Sequence, residues 1–180
     1  MIASPESLPR LGPEAYLEYE REQSLRHELV DGYLYAMTGS SDRHEEIALN
    51  LAAALRVHLK GTPCRAYKGD LKLRVADDFY YPDVFVRCGE NRGDAYFKTD
   101  PVVIAEVLSP STQRYDRGDK RLAYFQLPSL REYLLIAQDR MAVEFLDIKR
   151  PDQVVRLVRS EDVLRLKSVD FAMTLAELYE

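Results

Sequence analysis

The run from Val102 to Leu108 places the strongest constraint on how this chain can fold. Its sequence, VVIAEVL, is rich in β-branched residues and is apolar at every position except Glu106. A strand that is apolar at successive positions has to be covered on both of its faces, as a central strand of an α/β protein is. We therefore predict an α/β protein in which helices flank a central mixed β-sheet.

Short segments with strand patterns occur along the rest of the chain. Asp31-Gly32 lies between two apolar runs and supplies the positive φ angles of a tight hairpin turn. Residues 87–100 have no clear period and are predicted to form one long loop. Besides the two arms of the hairpin, the predicted strands are LKLRV, YYPDVFV, VVIAEVL, EYLLIA, AVEFLDI and VVRLVR.

Two helices are predicted in the first third of the chain. The segment PEAYLEYEREQ begins with Pro13, which is favourable at a first helical position. Residues 43–60 place apolar side chains on one stripe, with Asp42 and Glu45 spaced as a capping box and Gly61 as the stop.

Two further helices are predicted towards the end of the sequence. The first runs from Asp116 to about Leu127, with Leu122 and Phe125 expected to face the interior. The second is the closing segment TLAELYE.

Length and composition bound the class of protein. With 180 residues, of which 46% are hydrophobic, the chain is expected to form one domain, residues 1–180. It contains no apolar run of the roughly 20 residues that span a bilayer, and its first residues lack the apolar core of a secretory signal. A cytoplasmic protein without a membrane segment is expected. Cys64 and Cys88 lack the spacing of a zinc site and are expected to be ordinary thiols.

Two carboxylates interrupt otherwise apolar strands. Asp83 is predicted to share a strand face with Tyr81 and Phe85, and Glu106 shares its face with Ile104. A buried carboxylate without a partner costs several kcal/mol, so such residues are seldom kept without a reason. Two carboxylates on neighbouring strands repel each other unless one is protonated or a cation lies between them. An all-oxygen site of this kind suits Mg²⁺ or Mn²⁺.

The segments around these carboxylates resemble the Uma2 family of restriction endonucleases, also called DUF820, within the PD-(D/E)XK nuclease superfamily. The resemblance rests on HELVDG, on RH at the start of a helix, and on YYPDVFV, VIAEVLSPST, the spacing D-x-x-x-K and REYLLI. Together these segments extend over most of the chain. The resemblance implies a restriction-endonuclease-like fold and metal-dependent cleavage of phosphodiester bonds in DNA.

The resemblance also implies roles for particular residues. Asp83 matches the aspartate of the PD motif and Glu106 its later acidic residue, both as metal ligands. Glu28, in HELVDG, would complete the acidic cluster. The motif lysine is expected two positions after Glu106, where this chain has Leu108. Lys120, in D-x-x-x-K, is the substitute that would orient the attacking water and stabilise phosphate charge.

Accessory residues are assigned more weakly. The loop after Glu106 carries Ser109, Arg114 and Arg117, which are placed to hold backbone phosphates. His44, on the inward stripe of its helix, could touch phosphate or assist proton transfer, and a structural role in the core fits equally well. Asp70 is a further candidate for the acidic cluster.

Simpler interpretations stay open for the main candidates. Asp83 could bond backbone N–H groups, and Glu106 could pair with an arginine. Asp116 and Lys120 are spaced i,i+4, which also suits an exposed helical ion pair.

Three functions are compatible with the sequence. The first is the metal-dependent endonuclease, with DNA as substrate and a homodimer expected by analogy. The second is a non-catalytic scaffold of the same fold that binds nucleic acid or a partner protein. The third is a metal enzyme acting on a smaller phosphate ester, which suits the net charge of −5.

Overall fold

The computed structural model describes residues 10–37, 39–90, 93–110 and 113–180. Thirteen strands and five α-helices are assigned within these ranges. The strands are β1 (His27–Val30), β2 (Tyr33–Ala36), β3 (Cys64–Lys68), β4 (Lys72–Val75), β5 (Asp78–Tyr80), β6 (Val84–Cys88), β7 (Phe97–Lys98), β8 (Pro101–Leu108), β9 (Glu132–Ala137), β10 (Val143–Asp147), β11 (Val154–Leu157), β12 (Val163–Leu166) and β13 (Phe171–Thr174). The α-helices are α1 (Pro13–Arg21), α2 (Asp42–His58), α3 (Gln113–Tyr115), α4 (Arg121–Tyr124) and α5 (Leu175–Leu178).

The largest sheet has six strands in the order β11-β10-β9-β8-β6-β3. The pair β8–β9 is parallel and its other pairs are antiparallel, so the sheet is mixed. Strand β8 lies inside it and is buried at all positions but one. The predicted central mixed sheet is therefore confirmed, and the apolar run Val102–Leu108 forms one of its inner strands.

Two apolar clusters cover the faces of this sheet. Helix α2 packs on one face, where Ile47, Leu51 and Leu55 join the apolar side chains of β6, β8 and β9. Tyr124 of α4 and Leu127 lie in the cluster on the other face. Helical segments on both faces are the arrangement that an apolar central strand requires. The α/β class predicted from the sequence is confirmed.

A second sheet stands beside the first, with the order β2-β1-β5-β4-β7. It contains the predicted hairpin, in which Asp31 and Gly32 both have positive φ (50° and 81°). Strand β7 occupies part of the segment 87–100 that was expected to be a loop throughout. A third sheet, the hairpin β12–β13, was not predicted.

The N-cap of helix α2 lies one residue earlier than the predicted capping box. Its N-cap is Ser41, whose side chain accepts a hydrogen bond from the backbone N–H of His44 at 3.2 Å. The expected cap Asp42 is already inside the helix. Serine at the N-cap satisfies one of the free N–H groups of the first turn, so the prediction of the helix holds although its cap was wrong.

The segment YYPDVFV does not form one continuous strand. Strand β5 ends at Tyr80 and β6 begins at Val84, so Tyr81, Pro82 and Asp83 connect two strands that belong to different sheets. Proline has no backbone N–H to donate to a sheet and favours such a break. The expectation that Asp83 lies within a strand was therefore wrong, because Asp83 directly precedes β6.

A π-helical turn, Asp116–Lys120, separates α3 from α4. Such a turn adds a residue to the helical repeat and changes which side chains face inward further along. Leu122 is 67% exposed, whereas Tyr124 is fully buried. The helix was predicted in this region, but the inward direction of Leu122 was wrong.

Cys64 and Cys88 are opposed residues of β3 and β6 and form a disulfide. The expectation that they are free thiols was wrong, because the pairing of the two strands brings together residues 24 positions apart. Within the described ranges, no helix is both long enough and apolar enough to cross a bilayer.

Candidate active site

Several elements of the fold converge at the carboxyl-terminal half of β8. Glu106 projects from this strand on the face that it shares with Ile104 and Leu108, towards the cluster that contains Tyr124. Asp83 arrives from the start of the neighbouring strand β6, and Glu28 from β1 of the second sheet.

Asp83 and Glu106 are held next to each other. The backbone N–H of Asp83 donates to Glu106 Oε2 at 3.3 Å, and the backbone N–H of Val107 donates to Asp83 Oδ2 at 2.7 Å. The Tyr124 hydroxyl donates to Glu106 Oε1 at 2.8 Å. Asp83 thus accepts a backbone hydrogen bond, as the simpler interpretation expected, although from β8. Among the described residues no arginine pairs with Glu106.

Lys120 is the cation beside these carboxylates. Its Nζ lies 2.9 Å from Glu28 Oε1, 3.6 Å from Glu106 Oε1 and 3.7 Å from Asp116 Oδ1. The side chains of Lys120 and Asp116 are only 9% and 3% exposed, so they do not form the exposed helical pair that was the alternative. Lys120 therefore reaches Glu28, Glu106 and Asp116 from the π-helical turn, not from the strand that carries Glu106.

Leu108, at the position of the motif lysine, is buried in the apolar cluster on the same sheet face. A lysine there would project from β8 itself, whereas Lys120 comes from the helical segment that packs over the strand. The ammonium group near Glu106 is thus supplied by a different element.

The cluster groups more carboxylates than basic side chains among the described residues. Lys120 contacts Glu28, Glu106 and Asp116, and His44 contacts Asp83. Burial, with the nearby carboxylates adding to it, raises the pKa of Glu106 well above its usual range, against the opposing effect of Lys120. Burial alone would lower the pKa of Lys120, but the Glu106, Glu28 and Asp116 carboxylates raise it well above its usual value. Both shifts reflect the grouping of several carboxylates at one buried place.

His44 approaches from the first turn of α2. Its Nε2 lies 3.3 Å from Asp83 Oδ2, and the residue is 9% exposed. Burial by itself lowers the pKa of His44, but the hydrogen bond and charge of Asp83, together with Glu45, raise it above its usual value. The other ring nitrogen, Nδ1, is buried and makes no hydrogen bond within the described part of the chain. A buried polar atom of this kind is available to a ligand or an ordered water.

Of the other accessory candidates, Asp70 and Arg117 have their ion-pair partners elsewhere. Asp70 is exposed on the surface, where its carboxylate pairs with Arg26 at 2.7 Å. Arg117 pairs with Glu144 of β10. Arg114 is exposed on α3, and Ser109 directly follows β8. Asp70 is therefore not brought to the acidic cluster, and the three others lie along the segment that leaves β8.

Tyr124 and Asp116 are site residues that sequence reasoning did not assign to the cluster. The Tyr124 hydroxyl donates a hydrogen bond to Glu106, and the Asp116 carboxylate contacts Lys120. The backbone carbonyl of Asp116 accepts a hydrogen bond from the Tyr133 hydroxyl at 2.9 Å. The available signal was the spacing of Asp116, Lys120 and Tyr124, each four residues apart, which places them close together on a helical segment.

The donor set of the cluster was compared with the needs of a divalent metal. In the described ranges, no three His, Cys, Asp or Glu side chains are grouped so as to hold a metal ion. Mg²⁺, however, retains several waters and is often bound by only one or two carboxylates together with phosphate oxygens of the substrate. Asp83 and Glu106 offer adjacent carboxylates in an acidic surrounding, so their chemistry fits Mg²⁺ or Mn²⁺.

The architecture defines the protein as a member of a known fold class. A solved structure from Anabaena variabilis ATCC 29413, described as a "putative nuclease belonging to DUF820", superimposes with a TM-score of 0.78. The alignment covers 94% of this chain and 97% of that chain at 17% sequence identity. The fold is therefore shared, and with it the restriction-endonuclease-like class expected from the resemblance.

Sequence comparison then defines the family. The model of the Uma2 family, described as "Putative restriction endonuclease", matches residues 13–176, and the chain belongs to this family. Two relatives from Synechocystis sp. (strain ATCC 27184 / PCC 6803 / Kazusa) are similar. The uncharacterized protein slr1290 is 36% identical over 95% of this chain and 92% of its own length. The uncharacterized protein sll1609 is 31% identical over 72% of this chain and 76% of its own length.

Proposed function

We propose that the protein is a metal-dependent endonuclease that hydrolyses phosphodiester bonds of DNA, with Asp83, Glu106 and Lys120 as its catalytic residues. The observation that supports this most directly is the partly buried contact of the Asp83 backbone N–H with the Glu106 carboxylate, with the Lys120 ammonium 3.6 Å from Glu106. Two adjacent carboxylates and a lysine are the functional groups that a PD-(D/E)XK nuclease needs. Membership of the Uma2 family supports the same assignment.

In this function Asp83 and Glu106 would hold Mg²⁺ or Mn²⁺, with Glu28 beside them. When bound, the metal neutralises phosphate charge and acts as a Lewis acid in hydrolysis. Lys120 contributes a fixed positive charge next to the scissile phosphate and stabilises the charge that develops on its oxygens. Glu28, at 2.9 Å, holds the Lys120 ammonium in place, and Tyr124 fixes the carboxylate of Glu106.

The DNA backbone would approach along the segment that follows β8. This segment carries the exposed Arg114 and the half-buried Arg117 close to the end of the strand that bears Glu106. Local cations of this kind bind phosphates even where the net charge is −5, as in this chain. His44 offers a buried Nδ1 on the other side of Asp83 as a further donor or acceptor.

The test is cleavage of supercoiled plasmid by the purified protein with Mg²⁺ or Mn²⁺ and with EDTA. The variants Asp83→Ala, Glu106→Ala and Lys120→Ala are compared with Asp77→Ala and Lys60→Ala, which remove exposed residues of the same types. We expect metal-dependent nicking in wild type and in the two control variants only. Direct conversion of supercoiled to linear plasmid, rather than sequential nicking, would indicate the paired active sites of a homodimer.

The outcomes separate this function from its alternatives. A folded protein that binds Mn²⁺ but leaves duplex and single-stranded DNA intact contradicts the nuclease. Binding of DNA without cleavage and without Mn²⁺ at the cluster would instead favour the non-catalytic scaffold. If the protein hydrolyses small phosphate diesters and added DNA does not inhibit this reaction, the result would favour a metal enzyme that acts on a smaller phosphate ester. Activity that persists in Lys120→Ala would assign the catalytic cation to another residue.

A further inference from the structure

A second buried network of ionisable side chains adjoins the candidate site. It consists of Tyr16 and Glu20 on α1, His27 on β1, and Tyr81 in the connection between β5 and β6. All four are buried, and Glu20 is 8% exposed. None of these residues has a part in the proposed hydrolysis.

Glu20 is the centre of this network. Its Oε1 accepts the backbone N–H of His27 at 2.9 Å and the Tyr81 hydroxyl at 2.9 Å, while its Oε2 lies 3.1 Å from His27 Nδ1. A buried carboxylate with three donors is well compensated. Tyr16 holds His27 from its other side, because its hydroxyl donates to the His27 carbonyl at 2.6 Å. The carboxylate therefore fixes both His27 and Tyr81.

Each residue that Glu20 fixes is joined to the candidate site. His27 precedes Glu28, so the position of its backbone sets where the Glu28 side chain begins. The backbone N–H of Tyr81 donates to Glu28 Oε1 at 3.0 Å, and this same oxygen binds Lys120 at 2.9 Å. Asp83 follows Tyr81 by two positions. Through one carboxylate, α1 thus connects the segment of Glu28 with the segment of Asp83.

We propose that Glu20 is a positioning residue of the candidate site. By holding His27 and Tyr81 together it sets the distance between Glu28 and Asp83, and it thereby places the Lys120 ammonium relative to Glu106. This inference rests on the proposed nuclease function. It predicts that a change at Glu20, which touches neither substrate nor metal, alters metal binding and the catalytic rate.

The test uses Glu20→Gln, which keeps the shape of the side chain but removes the negative charge that strengthens its hydrogen bonds and replaces one acceptor oxygen by N–H₂. Mn²⁺ binding is measured by calorimetry, and plasmid nicking gives kcat and KM. We expect Mn²⁺ affinity or kcat to fall about tenfold, as is usual when a residue behind a metal ligand is lost. KM for DNA is expected to stay as in wild type. Tyr81→Phe, which removes one of the three donors, is expected to have a smaller effect of the same kind.

A matched control separates positioning from loss of stability. Thr174→Ala removes the capping box of α5, which is far from the site in sequence and makes no contact with it among the described residues. Loss of such a cap costs about 1 kcal/mol of stability. If Thr174→Ala is destabilised and retains wild-type Mn²⁺ affinity and kcat, a general loss of stability does not account for the effect of Glu20→Gln.

A double-mutant cycle tests the path through Glu28. If Glu20 acts through this residue, Glu20→Gln adds little to the loss already caused by Glu28→Gln, whereas fully additive losses contradict that path. Wild-type Mn²⁺ affinity and kcat in Glu20→Gln would overturn the positioning role and leave the proposed function intact. A wild-type protein that neither binds Mn²⁺ nor cuts DNA would overturn the proposed function, and the positioning role with it.

Discussion

Two buried clusters of ionisable side chains lie next to each other in this protein, and they differ in how their charge is compensated. The network of α1 has one carboxylate, Glu20, which receives hydrogen bonds from His27 and Tyr81. The cluster at β8 has four carboxylates, and the basic side chains of the described ranges that contact them are Lys120 and His44. The first arrangement gathers hydrogen-bond donors around one carboxylate, whereas the second groups several carboxylates that repel one another.

The difference indicates which of the two clusters is built for chemistry. Burial of a charge without sufficient compensation lowers the stability of the folded state, and proteins accept this cost chiefly at functional sites. The raised pKa of Glu106, caused by burial and by the nearby carboxylates, reflects this grouping of acidic side chains. The compensated network, in contrast, is suited to hold segments of the chain in fixed positions.

The largest expected effect is that of Glu106→Gln on nicking. If Glu106 has the proposed catalytic role, its loss is expected to lower the rate on the order of a thousandfold, about 4 kcal/mol of transition-state stabilisation. The free energy of unfolding should fall less than it does in Glu20→Gln, because the change also removes the repulsion between Glu106 and the neighbouring carboxylates. Plasmid nicking and urea unfolding measure the two quantities. A loss of stability as large as that of Glu20→Gln would show that this repulsion does not weaken the cluster.

Removal of Lys120 from the cluster is expected to have the larger effect on stability. Lys120→Met leaves the surrounding carboxylates without their ammonium partner, and the loss of one member of a buried ion pair costs about 3–5 kcal/mol. Urea unfolding would show this as a lower midpoint with an unchanged slope. Adding Glu28→Gln should recover part of the loss. The exposed residue Lys149, changed to Met in the same way, should leave stability unaltered.

Glu20→Gln provides the direct contrast to Glu106→Gln, because the same chemical change is made in the compensated network. Here the hydrogen bonds of Glu20 lose the charge of their acceptor, and the free energy of unfolding is expected to fall by about 1–3 kcal/mol. The two variants are compared by urea unfolding under the same conditions. If both change stability with the same sign and size, the distinction between the two clusters fails.

The sequence was sufficient to predict the main sheet and the principal carboxylates. The apolar run Val102–Leu108 is buried on both faces in the structure, and a carboxylate in such a run is conspicuous. The same reasoning selected Asp83, although its strand assignment was wrong. These predictions depend on the free-energy cost of burial, which a residue carries wherever it lies in the fold.

Other features depend on contacts that the sequence does not display. The disulfide of Cys64 with Cys88 requires the register of β3 with β6, and Glu20 becomes significant only once α1 is docked beside Tyr81. The π-helical turn Asp116–Lys120 alters which residues of the following turn face inward. Such a turn leaves no clear mark on hydrophobic periodicity, and for this reason Leu122 was assigned to the wrong face.

The smallest expected effect tests this change of helical face. Leu122 is 67% exposed, so Leu122→Lys is expected to change the free energy of unfolding by less than about 0.5 kcal/mol. The buried residue Leu127, changed to Lys, should lose several kcal/mol because its charge would have to be desolvated. Urea unfolding of the two variants measures the contrast. Equal losses would indicate a regular helix with Leu122 inside. They would also contradict the π-helical turn that brings Lys120 to the carboxylates of Glu28 and Glu106.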